Sequence, residues 1–213
     1  MDGCPPDRAG TLGTVVETDW DTKRDLILRC AAEVFTTVGY DRGTTRQIAE
    51  RAGLSQSSIY HYVGSKKEML GEIAREVDRV FTAGFDEAVQ GGGAAGERLS
   101  AALGNFVRDI IANLNSWAVY WEEQSSIDPE ILAEVMDHKR NWVRRYRELV
   151  RECQRDGILP SEASTTVLTE AILGAVAGIY RWYRPGSSPG PPEVTETFLA
   201  LFGLGTGLPV KHS

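Results

Sequence analysis

Cysteine is scarce in this 213-residue chain: Cys4, Cys30 and Cys153 lie far apart, with neither a CxxC pair nor a Cys/His spacing suited to a metal. A zinc site or a disulfide framework is therefore not expected, and Cys30 reads as a small core residue. Histidine is as sparse, with only His61, His138 and His212, which leaves little material for a nucleophile and its base. No long hydrophobic run occurs either. The most apolar stretch, Ala171 to Tyr180, is about half the length that spans a bilayer. Residues 1–21 hold Pro5-Pro6, several acids and no apolar segment, and read as a mobile arm rather than a secretory leader. These absences predict a cytoplasmic chain with no metal, no cofactor and no membrane partner. Positive charge is also short, the net being −7, which at first sight argues against nucleic acid.

Strand signals are missing too, and this disposes of two motif matches. Gly91-Gly92-Gly93-Ala94-Ala95-Gly96 fits the dinucleotide-binding GxGxxG, but that loop must follow a strand, whereas this one follows a helical pattern. Gly186-Ser187-Ser188-Pro189-Gly190 fits the esterase elbow GxSxG, yet it sits between a helix end and a proline-rich stretch. An enzyme is not expected.

What is present is concentrated between Thr44 and Leu70. Thr44 with Gln47, and Ser65 with Glu68, have the spacing at which hydroxyl and amide or carboxyl satisfy a helix's first free N–H groups reciprocally. Ile48, Ala49 and Ala52 form one apolar face closed by Gly53, and Ser55 caps a short helix predicted over 56–62. There Ile59 and Val63 face inward, while Gln56, Ser57, Ser58, Tyr60, His61 and Tyr62 project elsewhere. In a helix-turn-helix the second helix enters the major groove by its N-terminal end. Small hydroxyls at Ser57 and Ser58 allow close approach, and Gln56 suits bidentate reading of adenine. A structural helical hairpin with a polar outer face is the alternative on pattern alone. Ahead of it, Ile27, Cys30, Ala31, Val34, Phe35 and Val38 recur at helical spacing, with Thr22 and Asp25 as the expected cap. Between residues 22 and 70 there are eight Lys or Arg against five acids, a local +3 that leaves −10 elsewhere. Such asymmetry suits a chain with one end on phosphates.

From about Thr22 to Leu70 the chain resembles the DNA-binding domain of the TetR family of bacterial repressors. The shared elements are Phe35, Gly39-Tyr40, Thr44-Thr45, Ile48-Ala49, Ala52-Gly53-Leu54-Ser55, Tyr60, Tyr62 and Ser65-Lys66 with Leu70. The resemblance implies that Thr44, Thr45 and Tyr62 meet phosphates, that Arg46 and Gln56 to Ser58 lie nearest the bases, and that Lys66 holds the DNA backbone. His61 falls at a position that varies in the family.

The rest reads as helical, giving an all-α fold: a helix over 66–90, then about 97–114, 116–126, 129–156, 162–184 and 192–204. The expected layout is an arm (1–21), a reader (22–68), an effector-binding and dimerisation body (69–205) and a tail (206–213). Arg140, Arg144, Arg147 and Arg151 read as a solvated stripe paired with acids such as Glu148 and Glu152, rather than an anion site. Segment 162–184 is apolar nearly all round, so with 192–204 it is expected to form half of a four-helix dimer interface, matched by a near-palindromic operator.

Aromatic residues Phe106, Trp117, Tyr120, Trp121, Trp142, Tyr146 and Tyr180 are the candidate lining of an apolar effector chamber. The ending Tyr180 to Gly186 looks like that of TetR-type regulators of fatty-acid and steroid catabolism, which respond to acyl-CoA thioesters; Arg181 or Arg184 would then meet the CoA phosphates. The expectation is a homodimeric repressor of double-stranded DNA, released by a bulky hydrophobic effector that tilts the 66–90 helix. The competing reading is a helical protein that sequesters a small molecule without regulating an operator.

Overall fold

The computed structural model describes residues 19–186 and 188–205. The expected arm up to residue 18, with Cys4, the tail over 206–213, with His212, and Ser187 of the GxSxG match lie outside the described residues. Among the described residues there is no strand, and the fold is all-α as expected.

The head consists of α1 (Asp19–Val38), α2 (Thr45–Ala52) and α3 (Gln56–Tyr62). Ile27, Ala31 and Phe35 of α1 pack on Ile48 of α2 and Ile59 of α3 in a core with almost no solvent contact. Both reciprocal caps form. Thr44 Oγ1 accepts from the Gln47 N–H at 3.2 Å while the Thr44 N–H donates to Gln47 Oε1 at 2.9 Å. Ser65 Oγ likewise accepts from the Glu68 N–H at 3.2 Å, and the Ser65 N–H donates to Glu68 Oε2 at 2.6 Å. Gly53 ends α2 at φ +67°, a left-handed backbone that only glycine adopts freely, and Leu54 N then returns to Ala49 O. One boundary differs from expectation: α1 starts at Asp19, so Thr22 lies inside it rather than at its cap.

The body consists of α4 (Lys66–Gln90), α5 (Ala95–Ala112), α6 (Leu114–Glu122), a 3₁₀ turn (Gln124–Ser126), α7 (Pro129–Arg155), α8 (Thr165–Ala177), α9 (Ile179–Trp182) and α10 (Pro191–Leu201). The glycine run matching GxGxxG joins α4 to α5, and the Glu97 carboxylate accepts from the Ala94 N–H at 3.0 Å to open α5. Helix α4 runs unbroken across the expected domain boundary at 68/69 and packs on α5, α6 and α7. A Cβ at Gly71 would come within 2.5 Å of Ile131 Cδ1, so glycine there lets α4 and α7 meet closely.

The single helix expected over 162–184 is two helices. Its start is delayed because buried Gln154 donates to the carbonyls of Pro160 and Ala163, both at 2.8 Å, and accepts from Thr165 Oγ1 at 2.6 Å, holding 160–164 as a turn. It breaks at Gly178 because the Trp117 indole, from α6, takes the Ala177 carbonyl at 3.3 Å. The helix expected over 116–126 likewise divides, into α6 and the 3₁₀ turn, and the other boundaries expected in the body shift by at most three residues.

Candidate functional site

Two surfaces carry chemistry: the outer face of the head and a cavity in the body. On the head, Thr44, Arg46, Gln56, Ser57, Tyr60 and His61 are exposed, while Thr45, Ser58, Tyr62 and Lys66 are half-buried. Short local bonds organise this face. Gln56 Nε2 donates to Thr45 Oγ1 at 3.0 Å, and Thr45 Oγ1 lies 3.4 Å from the Tyr60 hydroxyl, so α2 and α3 present one continuous polar surface. Ser55 Oγ accepts from the Ser58 N–H at 3.1 Å, and the hydroxyls of Ser57 and Ser58 each lie 2.8 Å from it, which sets the small N-terminal end of α3 facing outward. Arg46 points into solvent with one ion pair to Glu50 at 3.0 Å.

Three placements were not legible in the sequence. Lys66 Nζ donates to the carbonyls of Tyr40 (2.7 Å), Asp41 (3.2 Å) and Gly43 (3.2 Å) and sits 4.3 Å over the Tyr40 ring. All three of its N–H groups are thus committed to the loop between α1 and α2, and the phosphate role expected of it is not available in this conformation. His61 and Tyr62 both pack on Trp20, with ring centroids 4.9 and 4.5 Å away, so the first turn of α1 braces the far end of α3. That turn belongs to residues expected in the arm.

The cavity, of about 130 Å³, lies between α4, α5, α6, α7 and α8. Five expected aromatics line it: Phe106, Trp117, Tyr120, Trp121 and Trp142. Phe81 of α4, which had no assigned role, stacks on Trp117 at 4.2 Å and meets Phe106 and Trp142 edge-on. Four expected members do not line it. Tyr146 lies deeper, donating its hydroxyl to Ala102 O at 3.1 Å, and Tyr180 is buried elsewhere. Arg181 and Arg184 are exposed beyond the end of α8; Arg181 stacks on Tyr180, and Arg184 donates to the carbonyls of Arg181 and Tyr183.

The polar lining is Asp78, Lys139 and Glu170. Asp78 takes His138 Nδ1 at 2.7 Å, which holds the His138 pKa above its ordinary value, and burial beside Asp78 pushes the Tyr120 hydroxyl up to about 12. Lys139 lies 4.1 Å over the Trp121 ring, and burial lowers its pKa despite the nearby Glu170. A sequence signal for Lys139 existed: it occupies the position that helical spacing assigns to the apolar side of α7, between Val135-Met136 and Trp142-Val143. Along the outside, α4 and α7 are laced in parallel register by Lys67–Asp128 (2.8 Å), Arg75–Glu134 (3.1 Å), Asp78–His138 and Asp86–Arg145. Of the arginine stripe, Arg147 pairs with Glu170 at 3.4 Å and Arg140 with Asp137 at 3.0 Å, while Glu152 pairs with Arg98.

A capped three-helix head that turns a short polar helix outward, carried on a helical body, is the architecture of a helix-turn-helix transcriptional regulator. Comparison with known proteins gives the family. Residues 27–73 match the family described as bacterial regulatory proteins, tetR family, and residues 92–206 match the tetracyclin repressor-like C-terminal domain. The chain belongs to the TetR family of transcriptional regulators. It is 27% identical over 184 residues to the HTH-type transcriptional repressor KstR2 of Rhodococcus jostii, covering 84% of this chain and 88% of that one. Its fold is similar to that of the ketosteroid transcriptional regulator KstR2 of Mycobacterium tuberculosis (TM-score 0.78, 23% identity, 85% and 93% of the two chains). It is also similar to AibR, solved with isovaleryl coenzyme A and operator DNA (TM-score 0.72, 21% identity, 85% and 98%). No helix among the described residues is long and apolar enough to cross a membrane.

Proposed function

We propose that this chain is a homodimeric cytoplasmic repressor whose operator binding is relieved by an effector seated in the aromatic cavity. The observation that carries this reading is the double attachment of α4. At its first residue, Lys66 is bonded to the head's α1–α2 loop, and three turns on, Val77, Asp78 and Phe81 form a wall of the cavity. A change at the cavity therefore reaches the head through one helix.

On the DNA side, Arg46 and Gln56 to Ser58 are assigned to base edges, and Thr44, Thr45 and Tyr62 to phosphates. Tyr60 and His61 lie beside them at the margin of the contact. Gln56 Nε2 carries two N–H groups, so one can stay on Thr45 while the other, with Oε1, reads adenine. Pairing of two chains through α8 and α10 is supported by what one chain leaves uncovered: Val167 is 66% exposed, Trp182 48% and Leu201 72%, beside exposed Gly174 and Ala175 that permit close helix approach. Two-fold pairing would set two α3 helices into successive major grooves about 34 Å apart and favour a near-palindromic site.

On the effector side, the lining is mainly apolar, and AibR provides a family precedent for an acyl-CoA beside operator DNA. The chamber is smaller than a bulky effector needs; a dry cavity of about 150 Å³ accommodates only benzene. An acyl group whose remainder lies between α4 and α7 displaces the two helices against the ion pairs that join them, and that displacement is the stroke delivered to α3. The test is binding of the purified protein to DNA flanking its own coding region, at two salt concentrations with nonspecific competitor, then with acyl-CoAs added. Saturable, salt-sensitive binding released by one thioester is expected, with effector and operator weakening each other equally. Effector binding that leaves operator affinity unchanged at saturation, or no specific DNA binding, would favour the sequestering alternative.

A further inference from the structure

Around the cavity each carboxylate already has a basic partner, whereas several donors have no hydrogen-bond partner. Asp78 is bonded to His138 and Glu170 to Arg147. The indole N–H groups of Trp121 and Trp142 are buried without any acceptor. Lys139 has neither a hydrogen bond nor an ion pair among the described residues; its ammonium lies over the Trp121 ring face, with Glu170 acting on it only through space. An indole nitrogen can only donate, and so can an ammonium. Leaving the two buried indole donors unmet costs about 1–3 kcal/mol each, which proteins avoid unless something else completes the site. Two buried indole N–H groups without acceptors, together with an ammonium that makes no hydrogen bond or ion pair among the described residues, belong to the lining of one largely apolar chamber and describe a seat for an oxygen acceptor on an apolar body.

Deepening the regulatory reading above, and resting on it, we propose that the effector is an acyl compound whose carboxylate or thioester carbonyl oxygen is held by Lys139 together with the indole N–H groups of Trp121 and Trp142. The seated portion is compact, of the order of a single ring, because the chamber is about 130 Å³. Lys139 is the specificity-determining residue, since its charge selects the acyl oxygen over a bare hydrocarbon of the same shape. The free acid and its CoA thioester share this chemistry. For the thioester, the remainder leaves by the groove that adjoins the chamber at Asp78 and Trp142 and continues past Asn141 and Arg145.

The test is calorimetric titration of the full chain without DNA, using benzoate, benzoyl-CoA and toluene. At least one acyl probe is expected to bind ten times more tightly than toluene. Lys139→Met should erase that preference and Lys139→Arg should retain most of it, with unfolding curves checking that both variants fold. Benzoate alone binding assigns the free acid; benzoyl-CoA alone assigns the thioester. Toluene binding as tightly as either acyl probe, an unchanged preference in Lys139→Met, or no acyl binding at millimolar concentration each overturns the proposal. Because DNA is absent, failure of this titration removes only the site; acyl binding here together with an operator complex that the same acyl probe leaves intact in the DNA assay removes the regulatory reading and keeps the site.

Discussion

The head and the body are both helical, but they are finished to different degrees. Every buried side-chain donor without an acceptor among the described residues belongs to the body, in Arg98, Trp121, Gln124, Trp142, Arg147 and Tyr180. The head, by contrast, opens α2 with a reciprocal cap and α3 with Ser55, and its α1–α2 loop takes up the Lys66 ammonium at the start of α4. A surface that meets one constant partner, the DNA duplex, gains from rigidity, because no ordering cost then falls on binding. A chamber that must respond to an effector gains from being incomplete, because only then does the ligand interact differently with its two states.

The contrast predicts a steep penalty for any loss inside the head. Phe35 is 2% exposed, sits edge-on to Tyr40 at 5.1 Å and underlies Gly43, where a Cβ would already approach its ring to 3.0 Å. Phe35→Ala should cost about 3–5 kcal/mol, read from the denaturant midpoint, and should abolish operator binding. A loss below 1 kcal/mol would show the head to be as loosely built as the body.

Lys66→Met comes next, at about 2 kcal/mol, since three carbonyls lose a charged donor. Operator affinity should fall through disorder of the 40–43 loop, while the slope of affinity against salt stays as in the wild type, because no phosphate contact is removed. A slope smaller by about one would instead assign Lys66 to a phosphate.

In the body the expected effects shrink and one reverses sign. Burial pushes the Asp109 carboxyl from 3.8 up to about 6, Glu87 adding to the shift and Arg108 opposing it; a Cβ on Gly84 of α4 would lie 2.7 Å from its Oδ2. The folded chain thus holds this proton more tightly than the unfolded one, so the group favours folding at low pH, and that contribution is lost as pH rises from about 4 through about 6. Asp109→Asn should be more stable than the wild type at pH 8 by about 1 kcal/mol, discounted because the side chain is only half-buried, and the advantage should vanish by pH 4. A constant difference across that range would sink the assignment.

The same contrast explains what the sequence revealed. Local chemistry wrote the head: the Thr44 and Ser65 boxes, Gly53 and the Ser55 cap each act within three or four residues, so α2 and α3 were placed to the residue. The chamber depends on five helices meeting, and no local spacing shows that Phe81, Asp78 and Lys139 converge on it. Gly178 lies inside the segment expected as one helix, and no local rule shows that the Trp117 indole, some sixty positions away in sequence, donates to the Ala177 carbonyl. Arg181 and Arg184 were chosen by position in a short C-terminal likeness, and no local rule could show that the chain turns them outward.

The finest test uses one substitution at two positions of a single aromatic cluster. Trp117 and Trp142 are similarly buried, 5% and 8% exposed, and both contact Phe81 and Phe106. Replacing either by Phe removes comparable volume, at a cost of about 1 kcal/mol for the space left behind. At Trp117 the change also strands the Ala177 carbonyl, so the penalty grows. At Trp142 it removes a donor that has no acceptor, and the relief of that burial, about 1 kcal/mol or more, offsets the lost packing. Trp142→Phe should therefore leave stability within about 1 kcal/mol of the wild type in urea unfolding while weakening acyl binding. Equal destabilisation by both substitutions would mean that the Trp142 N–H already has a partner in the free protein, and the contrast between a finished head and an unfinished chamber would lose its firmest support.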